Sequence, residues 1–166
     1  MKRFFCLLFL LGAGLLLGAQ TRNYNDNASG TFIFGLDSYF YGENGALDFD
    51  ADGKACRVSV SAAEVDVNGT RLENGGDVVV GIHDFTGNHI PELVVARREG
   101  SALGVKVYTL RGGSWQVIGS MKVPDSGKEI RVFRQVISIR RGEVLCSWTC
   151  HGEKFDYKAS DGSPEP

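Results

Sequence analysis

Between residue 31 and residue 158, several strand-length runs carry apolar side chains at alternate positions, and turn residues separate the runs. Val105, Val107 and Thr109 face one way, and Lys106, Tyr108 and Leu110 the other. After Arg111-Gly112-Gly113-Ser114, the residues Trp115, Val117, Gly119, Met121 and Val123 alternate with Gln116, Ile118, Ser120 and Lys122. The run from Ile130 to Ile139 alternates in the same way, and Val144, Cys146, Trp148 and Cys150 line one side of the next strand. A period of two marks half-buried strands. Asp52-Gly53, Asn68-Gly69, Gly112-Gly113, Arg141-Gly142 and His151-Gly152 separate them. Such dipeptides accept the positive φ that tight hairpins need. Ser61-Ala62-Ala63-Glu64 contains helix formers, but Val58, Val60, Val65 and Val67 flank it at strand spacing. The pattern predicts an all-β antiparallel meander without a helix, arranged as an open sheet, a sandwich or a small open barrel.

The first residues break this pattern. Met1-Lys2-Arg3 is basic, Phe4 to Leu17 is apolar, and Gly18-Ala19 supplies small residues. That order predicts a secretory signal peptide over residues 1–19, cleaved after Ala19. The apolar run is shorter than the roughly 20 residues a bilayer span needs. Cys6 would be discarded with it. Residues 20–30 are polar and predict a flexible lead, residues 31–158 a single β-rich domain, and residues 159–166 a disordered tail. The expected location is the periplasm or the cell exterior, soluble once the signal is removed.

Export changes what the cysteines imply. Cys56, Cys146 and Cys150 remain, and oxidising compartments favour disulfides. Cys146 and Cys150 lie roughly 13 Å apart along one strand face, too far to bridge each other. The expected bridge joins Cys56 to Cys146 or to Cys150, and the alternative is three buried, reduced thiols. Formal net charge is −2 over 166 residues, and the signal holds two basic residues, so the mature chain is more acidic still. With no basic run, the composition gives no support to nucleic-acid binding or to anionic membranes.

Two loops concentrate oxygen ligands. Asp48-Phe49-Asp50-Ala51-Asp52-Gly53 has carboxylates at alternate positions before a glycine, a pattern that wraps hard cations. The twelfth position is Ser59 where an EF-hand needs glutamate. In the second loop Asp84, Thr86 and Asn88 alternate, and Glu92 is placed to close the ring. Asp48, Asp50, Asp52, Asp84, Asn88 and Glu92 are therefore the candidate calcium ligands, and the competing reading is an Asx turn in each loop.

The segment from Gly81 to Ala96 (GIHDFTGNHIPELVVA) resembles an FG-GAP or VCBS-type repeat, the calcium-loop blade motif of integrin-like β-propellers. Val105 to Gly119 is similar to the hairpin that follows such loops, so the resemblance covers roughly residues 78–121. Thr86, Asn88 and His89 depart from the third, fifth and sixth positions of that pattern. Residues 48–58 align with 84–94 as a degenerate earlier repeat, with Cys56 at the ninth position. The resemblance implies a blade-like sheet and a calcium of structural use. One or two blades cannot close a propeller of four or more, which implies an isolated sheet or a piece of an oligomer.

No serine stands in a nucleophile-elbow context. Cys150 and His151 are adjacent on a strand and so point to opposite faces. The leading expectation is an exported, non-enzymatic module that binds a protein or a glycan. Trp115, Trp148, Tyr39 and Tyr41 are candidates for a stacking face, although core or edge packing is the favoured reading of them. The alternatives are a hydrolase whose site forms only in three dimensions and an envelope accessory protein that assembles with its own copies.

Overall fold

The computed structural model describes residues 32–41 and 46–166. The expected signal peptide and flexible lead lie outside them. Fourteen strands and no helix occur among the described residues. Nothing there is a helix long and apolar enough to cross a membrane.

Three antiparallel meanders follow one another. The first is β3 (Ala46–Ala51), β4 (Lys54–Val60), β5 (Glu64–Val67) and β6 (Thr70–Asn74). The second is β7 (Val78–His83), β8 (Glu92–Glu99), β9 (Ala102–Arg111) and β10 (Ser114–Val123). The third is β11 (Glu129–Phe133), β12 (Val136–Arg141), β13 (Val144–His151) and β14 (Lys154–Ala159). The preceding segment adds a strand to two of them: β1 (Phe32–Phe34) runs parallel to β11, and β2 (Ser38–Tyr41) runs antiparallel to β7. The all-β expectation holds, as three open sheets with no closed barrel.

The sheets stack with the second meander in the middle. One core layer gathers Val58, Val65 and Val67 of the first sheet with Val78, Val80, Leu93, Val95 and Tyr108 of the second. The other gathers Val79, Val94, Ala96, Val105 and Val107 of the second sheet with Ile130, Ile137, Ile139 and Trp148 of the third. Burial of both faces explains why Val78-Val79-Val80 and Leu93-Val94-Val95-Ala96 are continuous apolar runs rather than alternations. Fully burying such a side chain stabilises by about 1.5–3 kcal/mol, and the middle sheet is the one that contributes to both layers.

The tight turns follow the glycine signals. Asp52-Gly53 (φ 55° and 73°), Asn68-Gly69 (52° and 82°) and Gly112-Gly113 (54° and 85°) all turn with two positive φ angles, as right-twisted hairpins require.

Three local expectations need correction. Ile130 to Ile139 is not one strand, because the chain turns at Arg134 (φ 52°) and Gln135 and puts Val132 and Ile137 on the same face. In β10 a bulge between Val117 and Gly119 reverses the alternation. Trp115 therefore packs on the first core layer while Met121 and Val123 enter the second. The tail does not lie free: Leu145 N donates to Ser160 Oγ at 2.9 Å, and Trp148 Nε1 donates to Glu165 Oε1 at 2.7 Å. Ala159 itself closes β14 and is buried.

Candidate functional site

The β7–β8 loop is held by two carboxylates that bond its own backbone. Asp84 Oδ1 accepts from Gly87 N at 2.7 Å and Asn88 N at 3.2 Å, and Oδ2 accepts from His89 N at 2.9 Å. Glu92 is fully buried; its Oε2 accepts from Phe85 N at 2.8 Å, and its Oε1 from Thr86 Oγ1 at 3.1 Å. Burial raises the Glu92 carboxyl above its ordinary range, the loop's donors partly offset this, and the charge of Asp84 adds to it. Asn88 Oδ1 is engaged by Ile90 N at 2.8 Å. The oxygens expected to face a cation thus accept from backbone N–H groups and from the Thr86 hydroxyl instead.

The β3–β4 loop is built in the same way. Asp50 Oδ1 accepts from Gly53 N at 2.8 Å, an Asx turn. Asp48 lies within β3 on the outward face and takes both oxygens to Arg57 Nη1, at 2.9 and 3.0 Å. It is therefore not the counterpart of Asp84, which follows its strand. Asp52 supplies a positive-φ turn position. Among the described residues no three histidine, cysteine, aspartate or glutamate side chains are grouped to hold a metal ion. The two loops as arranged do not fit calcium.

The expected disulfide is not formed. Cys56, Cys146 and Cys150 are free and buried. Cys56 belongs to the core layer between the first and second sheets, and Cys146 and Cys150 to the layer between the second and third. With the middle sheet between them, and packed sheets about 10 Å apart, no bridge geometry is reachable. Burial first, then the charge of Glu92, pushes the Cys150 thiol up to about 11. Burial and the charge of Asp50 raise Cys56. Neither thiol meets a histidine: Cys150 is buried, and His151 is exposed at 4.0 Å from Asp156. His83 instead straps two sheets, with Nε2 donating to Arg134 O at 2.7 Å and Nδ1 lying 3.5 Å from Asp37.

A cleft of about 520 Å³ opens between the first and second meanders, within the roughly 300–1,000 Å³ usual for small-molecule sites. Three turns frame it: β3–β4, β5–β6 and β9–β10. Cys56, Val67 and Tyr108 form its buried floor, and Leu72, Leu110 and Trp115 its apolar walls. Phe49 supports Trp115, with ring centroids 6.0 Å apart. Lys54 and Arg71 bring two cations to the rim, and no carboxylate lines it among the described residues. Behind the floor, the Tyr108 hydroxyl donates to Glu73, which also meets Lys106 Nζ at 2.9 Å and Arg97 at 3.5 Å. This group ties the two sheets together and closes the inner end of the cleft. Burial and the Glu73 carboxylate hold the Tyr108 phenol well above its ordinary range.

Of the aromatic side chains named from sequence, Trp115 reaches this cleft, Trp148 is buried in the other core layer, and Tyr39 packs against that layer. The side chain of Tyr41 is outside the described residues. The sequence carries no signal for Lys54 and Arg71 as site residues. They sit beside two unrelated hairpins, and only sheet stacking brings them to one opening. No protein-family model, curated protein or solved structure matches this chain.

Proposed function

We propose that this chain is an exported, non-enzymatic β-domain that binds a glycan or protein partner in the cleft between its first two meanders. The carrying observation is the cleft itself, with an apolar and aromatic interior, a cationic rim and no carboxylate among the described lining residues. Hydrolysis by paired acids needs two carboxyl groups converging on one bond, and thiol catalysis needs a cysteine within reach of a base. The cleft offers neither, which favours binding over the hydrolase alternative. The FG-GAP or VCBS resemblance belongs to the same proposal. Three successive four-stranded meanders packed face to face are what blade-like repeats would build, and the resembling segment lies on the middle one.

The test uses the tryptophans. Trp148 is buried and Trp115 is half-exposed at the cleft, so a ligand in the cleft changes Trp115 emission. Neutral saccharides, acidic saccharides and acidic peptides are titrated by calorimetry against the purified protein and against Trp115→Ala, with Trp115 emission followed in the parent. Binding by at least one class, lost in the variant, supports the proposal; binding that survives the variant places the site elsewhere. Export is checked separately by the mass of the secreted chain, expected to begin at Gln20.

Self-assembly is favoured by one observation. The outer face of the third sheet leaves Phe34 45% and Phe133 69% exposed. A concentration-dependent mass, abolished by Phe133→Asp, would support that second reading.

A further inference from the structure

The charges at the cleft narrow its ligand, a step that rests on the binding function proposed for it. On a chain with formal net charge −2, a concave site whose described lining carries only cations is a local reversal. Lys54 opens β4, and its ammonium extends across the mouth to the β9–β10 hairpin. A Cβ placed on Gly113 would stand 3.0 Å from Lys54 Nζ. Arg71 holds the outer wall, with its guanidinium bonded to the side chain of Asn74. Both thiol and phenol at the floor stay neutral at ordinary pH, because burial raises them. Nothing in the described lining therefore competes for the two cations.

The apolar part has its own requirement. Trp115 presents a half-exposed indole braced by a tilted contact with Phe49, ring centroids 6.0 Å apart. Ring faces with C–H groups stack on such a surface, and an amphipathic ligand keeps its polar edge wet. Thr70 and Ser114 place hydroxyls at the rim. The floor is blunt, since Tyr108 and Glu73 join the sheets behind it. A compact ring fills such a site better than an extended peptide, which needs an open-ended groove.

We propose that the cleft takes a carboxylated saccharide, a uronic acid unit or its equivalent, with the carboxylate at Lys54 and the sugar ring on Trp115. Lys54 then supplies charge, Trp115 the platform and Arg71 the second cation for an adjoining acidic unit.

The experiment titrates the purified protein with trigalacturonate, with maltotriose as the neutral comparison and a triglutamate peptide as the acidic non-saccharide. Trigalacturonate is expected to bind, and Lys54→Gln to weaken it by about tenfold or more, the scale of a hydrogen bond to a charged group. Its affinity should fall as salt shortens the screening length. Lys122→Gln, which alters an exposed Lys122–Glu99 pair away from the cleft, should leave binding unchanged. Circular dichroism establishes that each variant is folded. Equal binding of maltotriose, or no effect of Lys54→Gln in folded protein, overturns the charge assignment while the cleft stands. Binding of the peptide alone overturns the saccharide. Binding of none of the three overturns both this inference and the cleft as a binding site.

Discussion

Glu92 concentrates the physical chemistry of the β7–β8 loop in one side chain. Its carboxylate is buried and accepts from Phe85 N and from Thr86. Truncation to alanine strands a buried N–H, a loss of about 1–3 kcal/mol, readable as a lower urea midpoint. Because the folded carboxyl titrates above its ordinary range, its stabilising share is complete below the unfolded carboxyl value. That share is lost as pH rises through the raised folded value. Glu92→Gln removes this dependence, so the variant should gain on the parent as pH is raised from about 4; a constant difference across pH would sink the argument. Calcium gives a second test. A site with a dissociation constant of about 10 μM would add roughly 2.7 kcal/mol at about 1 mM calcium. Since Asp84, Glu92 and Asp50 bond backbone N–H groups, the melting midpoint should not move between chelator and calcium. A rise of several degrees would show that the loops rearrange around a cation. The thiols give a third. Cys146 and Cys150 are buried between the second and third sheets, so they should react with a thiol reagent only after unfolding, whereas Cys56 lines the open cleft. Reductant should leave the melting midpoint unchanged.

At the scale of elements, the seam between β2 and β7 depends on Gly81. A Cβ there would meet Leu36 Cδ1 at 2.1 Å, Ser38 O at 2.9 Å and Tyr39 Cβ at 2.9 Å. Backbone cannot yield as a side-chain tip can, so Gly81→Ala should pry β2 away. The expected loss is about 1–3 kcal/mol, with faster amide exchange along β7 from Val79 to Ile82; undiminished protection would show that β2 is dispensable. Legibility in the sequence follows the same seams. Strands with one wet face announce themselves by alternation, and hairpins with Asn-Gly, Asp-Gly or Gly-Gly by their φ requirement. The β11–β12 turn lacks any such residue, since Arg134 takes positive φ against its own preference, and so two strands look like one. The β10 bulge is invisible because an extra residue changes no composition. Partition into three sheets is hidden for another reason. Which strand pairs with which is a long-range matter, and the strands β1 and β2 join meanders far along the chain. The cleft inherits that obscurity, whereas Trp115 is visible as a stacking candidate. The acidic loops are visible as loops, but carboxylates that cap N–H groups and carboxylates that cage a cation have the same spacing.

At the scale of the molecule, the question is whether three stacked meanders behave as one folding unit or as separable repeats. Arrays of repeats unfold piecemeal when interfaces are weak relative to each repeat. Here no meander has a core of its own: each layer is built from two sheets, and the middle sheet contributes to both. Losing either outer sheet would bare one face of β7, β8 and β9. The N-terminal strands add coupling, since β1 pairs with the third meander and β2 with the second. The two tryptophans report the two layers separately, Trp115 on the first and Trp148 on the second. Single-tryptophan variants, Trp115→Phe and Trp148→Phe, should therefore give coincident urea transitions within each protein when fluorescence and circular dichroism are compared. Trp148→Phe should have the lower midpoint, because its indole is fully buried and bonded to Glu165. Leu93→Ala, on the middle sheet, should cost about 2–5 kcal/mol and lower both signals together, although Leu93 touches only the first layer. A fall in the Trp115 signal that leaves Trp148 in place would mean that the third meander and β1 stand alone. The middle sheet would then not be the element that makes one domain of three.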